Sequence, residues 1–225
     1  MKRIVFLTGA GMSAESGIST FRDSGGLWEK YDVMEVASID GWRKNPDLMT
    51  KFYNERRTQL DYVMPNEGHK LIAQLESSFE VTVITQNVDN LHERAGSSNI
   101  IHLHGELTKV CNESKSEVYD IGTKAIEIGE KADDGSRLRP FIVWFGEAVP
   151  LIEKAANIVS NADIIVIIGT SMQVYPAAGL IHYAKRNAKI FLIDPNNVDT
   201  PFAFVNVIKE KASVGMRILT EKLTI

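Results

Sequence analysis

Short apolar runs alternate along the chain with stretches of helical periodicity. Six runs read as strands: RIVFLT (3–8), EVTVITQN (80–87), NIIHLH (99–104), PFIVWF (140–145), ADIIVIIGT (162–170) and AKIFLID (188–194). Ile164 to Ile168 is apolar without interruption, the pattern of a strand covered on both faces by helices. Between the runs, periodicity predicts helices over 45–64, 66–77, 150–160, 176–186 and 213–222. The alternation predicts an α/β fold on a parallel sheet. Two intervals do not fit that sheet: 20–65, which is helix-rich, and 109–139, which is charged and weakly periodic. Together they predict a smaller lobe over the sheet's carboxyl edge, with a ligand cleft between. There is no internal repeat or low-complexity segment.

The helix predicted from 45 starts on a cap signal, Asn45-Pro46-Asp47. Turned at about 100° per residue, Met49, Phe52, Tyr53, Leu60 and Val63 form one apolar stripe. Arg56 falls near its middle, although a guanidinium cannot shed its charge. Arg57 lies to the side and is expected to be an ordinary surface residue.

Composition narrows the classes. With 225 residues, 44% of them hydrophobic, the chain can bury a full core. A net charge of -4 without a basic block argues against nucleic-acid binding. The opening MKRIVFLTGAG breaks at Thr8-Gly9 and reads as a strand, not a leader, and no run is long enough to span a membrane. The single cysteine, Cys111, allows no internal disulfide and suits a reducing cytoplasm.

Candidate chemistry gathers where strands end. Gly9, Gly11 and Gly17 follow the first strand; glycines there let backbone approach a pyrophosphate, or simply serve a tight turn. Their spacing is not that of the common dinucleotide fingerprint. Gly169, Thr170 and Ser171 follow one later strand, and Asp194, Asn196 and Asn197 another. Gln86, Asn87, Asp89 and His92 follow TVIT, and His102 and His104 the next strand, pointing to opposite faces. A histidine before glycine suits a general base, whereas singly each is as readily structural.

The set GAGMSAESGISTFR, TQNVDNLH, HLHG, VWFGE and GTSMQVYPAA, in this order, resembles the sirtuin family of NAD-dependent protein-lysine deacylases from residue 4 to about 220. The resemblance implies a Rossmann-like parallel sheet with helices on both faces (1–20, 66–105 and 141–225) and a small lobe from two insertions (21–65 and 106–140). It implies NAD, consumed as co-substrate, held by Gly9, Ala10, Gly11, Ala14, Glu15, Phe21 and Arg22, by Gln86, Asn87 and Asp89 at the nicotinamide ribose, and by Gly169, Thr170, Ser171, Asn196 and Ala212 on the adenosine side. His104 matches the catalytic base, with Asn87 and Asp89 in the catalytic set. Val143, Phe145, Gly146 and Glu147 match the segment that pairs with the acylated-lysine peptide. Nicotinamide, O-acyl-ADP-ribose and free lysine are the implied products, and a monomer without nucleic-acid or membrane partners is expected.

Most of the family has four zinc-binding cysteines between HLHG and VWFGE; here that interval holds only Cys111, so no zinc is expected. Asp194 stands where relatives often carry Asn. In one branch of the family a Tyr-x-x-Arg pair accompanies preference for acidic acyl groups such as succinyl and malonyl, and Tyr53 and Arg56 have that spacing, neighbours on a helix. Three rival readings remain: an ordinary deacetylase with a structural Arg56, a mono-ADP-ribosyltransferase, and a non-catalytic NAD sensor.

Overall fold

The structure is a computed structural model that describes residues 1–19, 31–170, 174–196 and 205–223. Strands β1 (Arg3–Thr8), β2 (Glu80–Thr85), β3 (Ile100–His102), β7 (Ile164–Ile168), β8 (Lys189–Ile193) and β9 (Asn206–Ile208) form one sheet, every pair parallel, in the order β3-β2-β1-β7-β8-β9. The chain starts in the middle, winds to one edge, then returns to wind to the other. β1 therefore lies between β2 and β7, and the crevice at their carboxyl ends is where such sheets bind ligands.

Alternate side chains feed two cores. Val5, Leu7, Ile165 and Ile167 pack with Ala155 and Val159 of α7 (Ile152–Asn161) and with the 3-10 helix Ala177–Tyr183. Ile4, Phe6, Val166 and Ile168 face the other way, onto Ile72 of α5 (Glu67–Gln74) and Met216 and Leu219 of α8 (Ala212–Leu223). That double cover explains the unbroken apolar run of β7. Among the described residues no helix is long and apolar enough to cross a membrane.

A second, three-stranded antiparallel sheet has the order β5-β4-β6, from β4 (Gly105–Cys111), β5 (Val118–Asp120) and β6 (Arg139–Ile142). Its own core is Val110, Ile126, Ala132 and Leu138. The PFIVWF run was expected to join the parallel sheet, and the structure corrects this: 139–142 pairs with β4 instead. A run of apolar residues reports burial and not which sheet buries it. β4 and β5 carried no signal because partly buried polar residues interrupt β4 and β5 is three residues with both ends exposed, and β9 is a three-residue edge with Asn206 and Val207 exposed.

A third core joins the two sheets. It holds Val36 of α2 (Val33–Val36), Trp42 of α3 (Ile39–Lys44), Met49, Phe52 and Tyr53 of α4 (Pro46–Gln59), and Leu91, Leu107, Ile142 and Trp144. The Asn45 side chain caps α4 by accepting from the Leu48 N–H, with Pro46 at the first turn. The helix ends at Gln59, and Leu60 and Val63 stay buried beyond it. Arg57, expected on the surface, has no solvent exposure. Four residues after Tyr53, it turns its edge of the helix toward β4, where Nε donates to the Leu107 carbonyl at 2.6 Å. α4 is buried on two sides, and a single-stripe reading sees only one.

Candidate active site

The turn after β1 packs directly onto the end of β7. Gly9 N–H donates to the Ile168 carbonyl (3.0 Å) and Gly11 N–H to the Gly169 carbonyl (2.9 Å). A Cβ on Gly11 would lie 2.6 Å from Gly169 Cα, and one on Gly169, at φ +60°, would lie 2.4 Å from the Gly11 carbonyl carbon. These glycines let two strand exits touch, a reason for glycine beyond approach to phosphate. Gly9 caps the short α1 (Ala10–Ala14) with no side-chain bond, and with Gly9, Gly11 and Met12 N–H groups already donating to backbone carbonyls, the Ala10 N–H is the one at this turn without a hydrogen bond among the described residues.

Ser13, fully buried, organises the next strand exit. Its hydroxyl donates to Asp89 Oδ2 (2.9 Å) and accepts from Asn87 Nδ2 (3.0 Å), while Asp89 Oδ1 accepts from the Leu91 N–H (3.1 Å). Burial raises the Asp89 pKa, against the pull of these donors. Asn87 Oδ1 makes no hydrogen bond among the described residues. Gln86 Nε2 donates to Thr170 Oγ1 (3.1 Å), tying the ends of β2 and β7.

His104 follows β3 with Nδ1 3.1 Å from the Gln86 carbonyl. A carbonyl only accepts, so Nδ1 carries the proton and Nε2 keeps a free lone pair, the form a general base needs. Burial lowers its pKa, partly offset by that carbonyl, which keeps it neutral at physiological pH. His102 reaches the adjacent carbonyl, that of Asn87, with its own Nδ1 at 3.0 Å. Though on opposite faces, the two histidines thus hold successive residues of one segment.

Tyr53 is buried, and its hydroxyl accepts from Trp144 Nε1 at 2.9 Å. Burial pushes its pKa up to about 12. Arg56, half-buried, lies over the Phe52 ring at 5.7 Å, and burial lowers its pKa against the attraction of Tyr53 and Asp89. It makes no hydrogen bond or ion pair among the described residues. The two residues of the predicted pair are therefore neighbours, with one hydroxyl already engaged as an acceptor.

In the 143–147 segment, Val143 N–H donates to the His104 carbonyl, and Phe145 exchanges bonds with Ala37 and Ile39. Phe145 and Gly146 are exposed. The Glu147 carboxylate points inward, accepting from both terminal nitrogens of Arg139 (3.0 Å each), from Lys115 (3.0 Å) and from the Trp144 N–H (2.9 Å). It braces this segment and does not offer itself to a partner. Glu15 accepts from the Ser213 N–H, next to buried Ala212, at the start of α8. Ala14 and Asn196 are exposed near the same edge, and Asp194 accepts from the Asn196 N–H. Phe21, Arg22 and Ser171 lie outside the described residues.

Burial pushes the Cys111 thiol up to about 11, so it stays protonated and unsuited to bind a metal. Glu93, His102 and Glu106 bring their donor atoms within 4.8 Å of one another, but His102 and Lys109 already counter the two carboxylates. Ser13, Trp144 and Arg139 went unnoticed in the sequence; only the placing of Ser13 inside the glycine motif hinted at a role.

The Sir2 family profile matches residues 9–176. The chain belongs to the Sir2 family. It is 58% identical over 99% of its length to an NAD-dependent protein deacylase of Bacteroides thetaiotaomicron, covering 98% of that protein. Among solved structures, a Sir2 homologue in complex with NAD superposes with a TM-score of 0.90 at 41% identity, over 99% of this chain and 90% of the other. A Sir2 mutant with a deacetylated p53 peptide and 3′-O-acetyl ADP-ribose superposes at 0.82 and 31% identity, over 97% and 92%.

Proposed function

We propose that this Sir2-family chain removes acyl groups from protein lysines with NAD as co-substrate, releasing nicotinamide, O-acyl-ADP-ribose and free lysine. The observation that carries the reading is the convergence at one sheet edge of the glycine turn, the buried Asn87–Ser13–Asp89 network and a histidine whose tautomer is fixed with its Nε2 free. These groups fit a dinucleotide: the side-chain-free Gly9–Gly11 turn with its unpaired Ala10 N–H for phosphate, Asn87 Oδ1 and Asp89 for polar groups on the nicotinamide side. NAD supplies the cleavable nicotinamide–ribose bond. Ser13 holds Asn87 and Asp89 in place, and His104 Nε2 takes a ribose hydroxyl proton. The 143–146 segment, steadied by Glu147, receives the peptide.

The acetyl chain is the acyl group that the relatives support. A second reading, preference for succinyl or malonyl lysine, is favoured by the half-buried Arg56, whose guanidinium has no hydrogen bond or ion pair among the described residues. It lies beside Tyr53, whose own O–H remains available to donate. Hydrogen bonds to charged groups contribute roughly 1.5–3 kcal/mol each, enough to reorder acyl preference.

A panel of acetyl, succinyl and malonyl peptides, with mass analysis of the ADP-ribose product, tests both. Nicotinamide release that depends on acylated peptide is expected, with lysine deacylation lost in His104→Ala; release without peptide would overturn the deacylase reading, and retained deacylation in that folded variant would remove His104 from the mechanism. Arg56→Met is expected to lose succinyl activity and keep acetyl activity. Equal loss of the two would make Arg56 structural.

A further inference from the structure

His102 lies between two acceptors. Nδ1 is 3.0 Å from the Asn87 backbone carbonyl and Nε2 is 2.6 Å from Glu93 Oε1. Neither partner can donate while Glu93 is ionised, and a neutral imidazole has only one N–H. Both contacts are satisfied only by the doubly protonated ring. Its side chain is 8% exposed, so water does not stand in for a missing proton.

We propose that His102 is held as an imidazolium and is the positioning residue of the 87–93 segment, its two N–H groups pinning the ends of the turn that presents Asn87 and Asp89. The inference rests on the reading of that turn as the nicotinamide side of an NAD site. Asn87 is held by its carbonyl and Glu93 by its carboxylate, and Asp89 lies between them. The clamp crosses from β3 to the β2 exit and to α6 (Leu91–Ala95), so it fixes where the loop sits relative to His104.

The surroundings favour the charge. Burial works against it, but Glu93, then the Asn87 carbonyl and Glu106, outweigh burial and raise the His102 pKa above its ordinary value. Facing it are Glu93 and His92 from α6, Asp89 from the loop, and Glu106 from β4, with Lys109 acting on Glu93. His92, its pKa well below the ordinary value, stays neutral and does not compete. Because the folded pKa is raised, the clamp is complete below about 6.5 and is lost as pH rises through the higher folded value. His104 is shifted the opposite way, so two histidines on one strand exit titrate on either side of the usual value.

The test uses the full chain. In 15N-histidine spectra at pH 7, with His102→Gln for assignment, both His102 nitrogens are expected to be protonated; a neutral tautomer overturns the proposal without reference to any activity. Calorimetry with NAD is expected to show affinity falling several-fold as pH rises through the His102 titration. In His102→Gln the affinity is already weak at pH 7 and that alkaline fall is absent. If His102→Gln does not fold, Glu93→Gln keeps the ring and should move the fall toward lower pH. Wild-type binding with unchanged affinity in His102→Gln, or an unmoved fall in Glu93→Gln, overturns the inference alone; a wild type that binds no NAD overturns the functional reading with it.

Discussion

Arg57 buries its whole guanidinium between α4 and β4, donating to the Leu107 carbonyl and, through one terminal nitrogen, to Asn54 Oδ1 at 2.8 Å. Asn54 in turn donates to the Ile126 carbonyl and accepts from its N–H, so the arginine is one knot of a helix-to-lobe seam. Burial lowers its pKa to about 10, which leaves it charged at pH 7. The second terminal nitrogen has no partner among the described residues, so Arg57→Met relieves some desolvation while orphaning the Leu107 carbonyl. Charge-assisted bonds and an orphaned buried carbonyl outweigh that relief, and the expected loss is about 2 kcal/mol. Urea unfolding should show a lower midpoint at unchanged m, whereas Arg56→Met should move it by less than about 0.5 kcal/mol; equal midpoints would contradict the seam. The helical wheel placed Arg56 correctly beside Tyr53 and misplaced Arg57, because it knows one buried face and α4 has two. The glycine turn and His104 were legible as short patterns at strand exits. Ser13 and Trp144 were not, since their partners Asn87 and Tyr53 lie 74 and 91 residues away.

The segment after β6 shows how an element is placed by charge. Arg139, its side chain 3% exposed, stacks on the Trp144 ring at 3.7 Å and meets Glu147 through two bonds. Trp144 then reaches Tyr53, so this ion pair supports both the 143–146 segment proposed to receive the peptide and the helix face that carries Tyr53 and Arg56. Burial pushes the Glu147 carboxyl up, but Arg139, the Trp144 N–H and Lys115 prevail, and its pKa is lowered. Its stabilising effect is therefore present above the unfolded value of about 4.3 and is lost as pH falls through the lower folded value. Glu147→Gln leaves Arg139 buried without a counter-charge, a change expected to cost about 3 kcal/mol. Peptide KM should rise while NAD affinity holds, because the glycine turn and Asn87 do not touch this brace. Unchanged stability and unchanged peptide KM would return Glu147 to the surface. That β6 belongs to the small sheet was invisible in PFIVWF because it is decided by β4, whose Val110 pairs with Pro140 from thirty residues away.

At the scale of the molecule, the sheet's carboxyl edge is stabilised at one end by histidines that must remain neutral. His69 on α5 is fully buried with neither ring nitrogen hydrogen-bonded among the described residues, and His92 on α6 packs against it with ring centroids 4.8 Å apart. His92 Nε2 meets Thr8 Oγ1 at 3.2 Å, which connects the pair to the end of β1 just before the glycine turn. Burial, opposed only by Glu93, lowers the His69 pKa to about 4, and burial with the neighbouring His69 and His102 lowers that of His92 well below its usual value. In the unfolded chain both take a proton near pH 6.5, so between there and about 4 the unfolded state binds more protons and stability falls with pH. For His69 alone that loss is roughly 3 kcal/mol. His102 acts in the opposite sense, since its raised pKa stabilises the fold on the acid side. His69→Leu should separate these effects: with no hydrogen bond to lose, the variant should be close to wild type at pH 7.5 and lose less stability on acidification. Urea midpoints measured from pH 7.5 down to 5 read this directly, and a wild-type slope in the leucine variant would place the acid sensitivity elsewhere. Because the pair leans on Thr8, NAD affinity should weaken over the same window in the wild type and hold longer in the variant, linking the acid limit of the fold to that of its site.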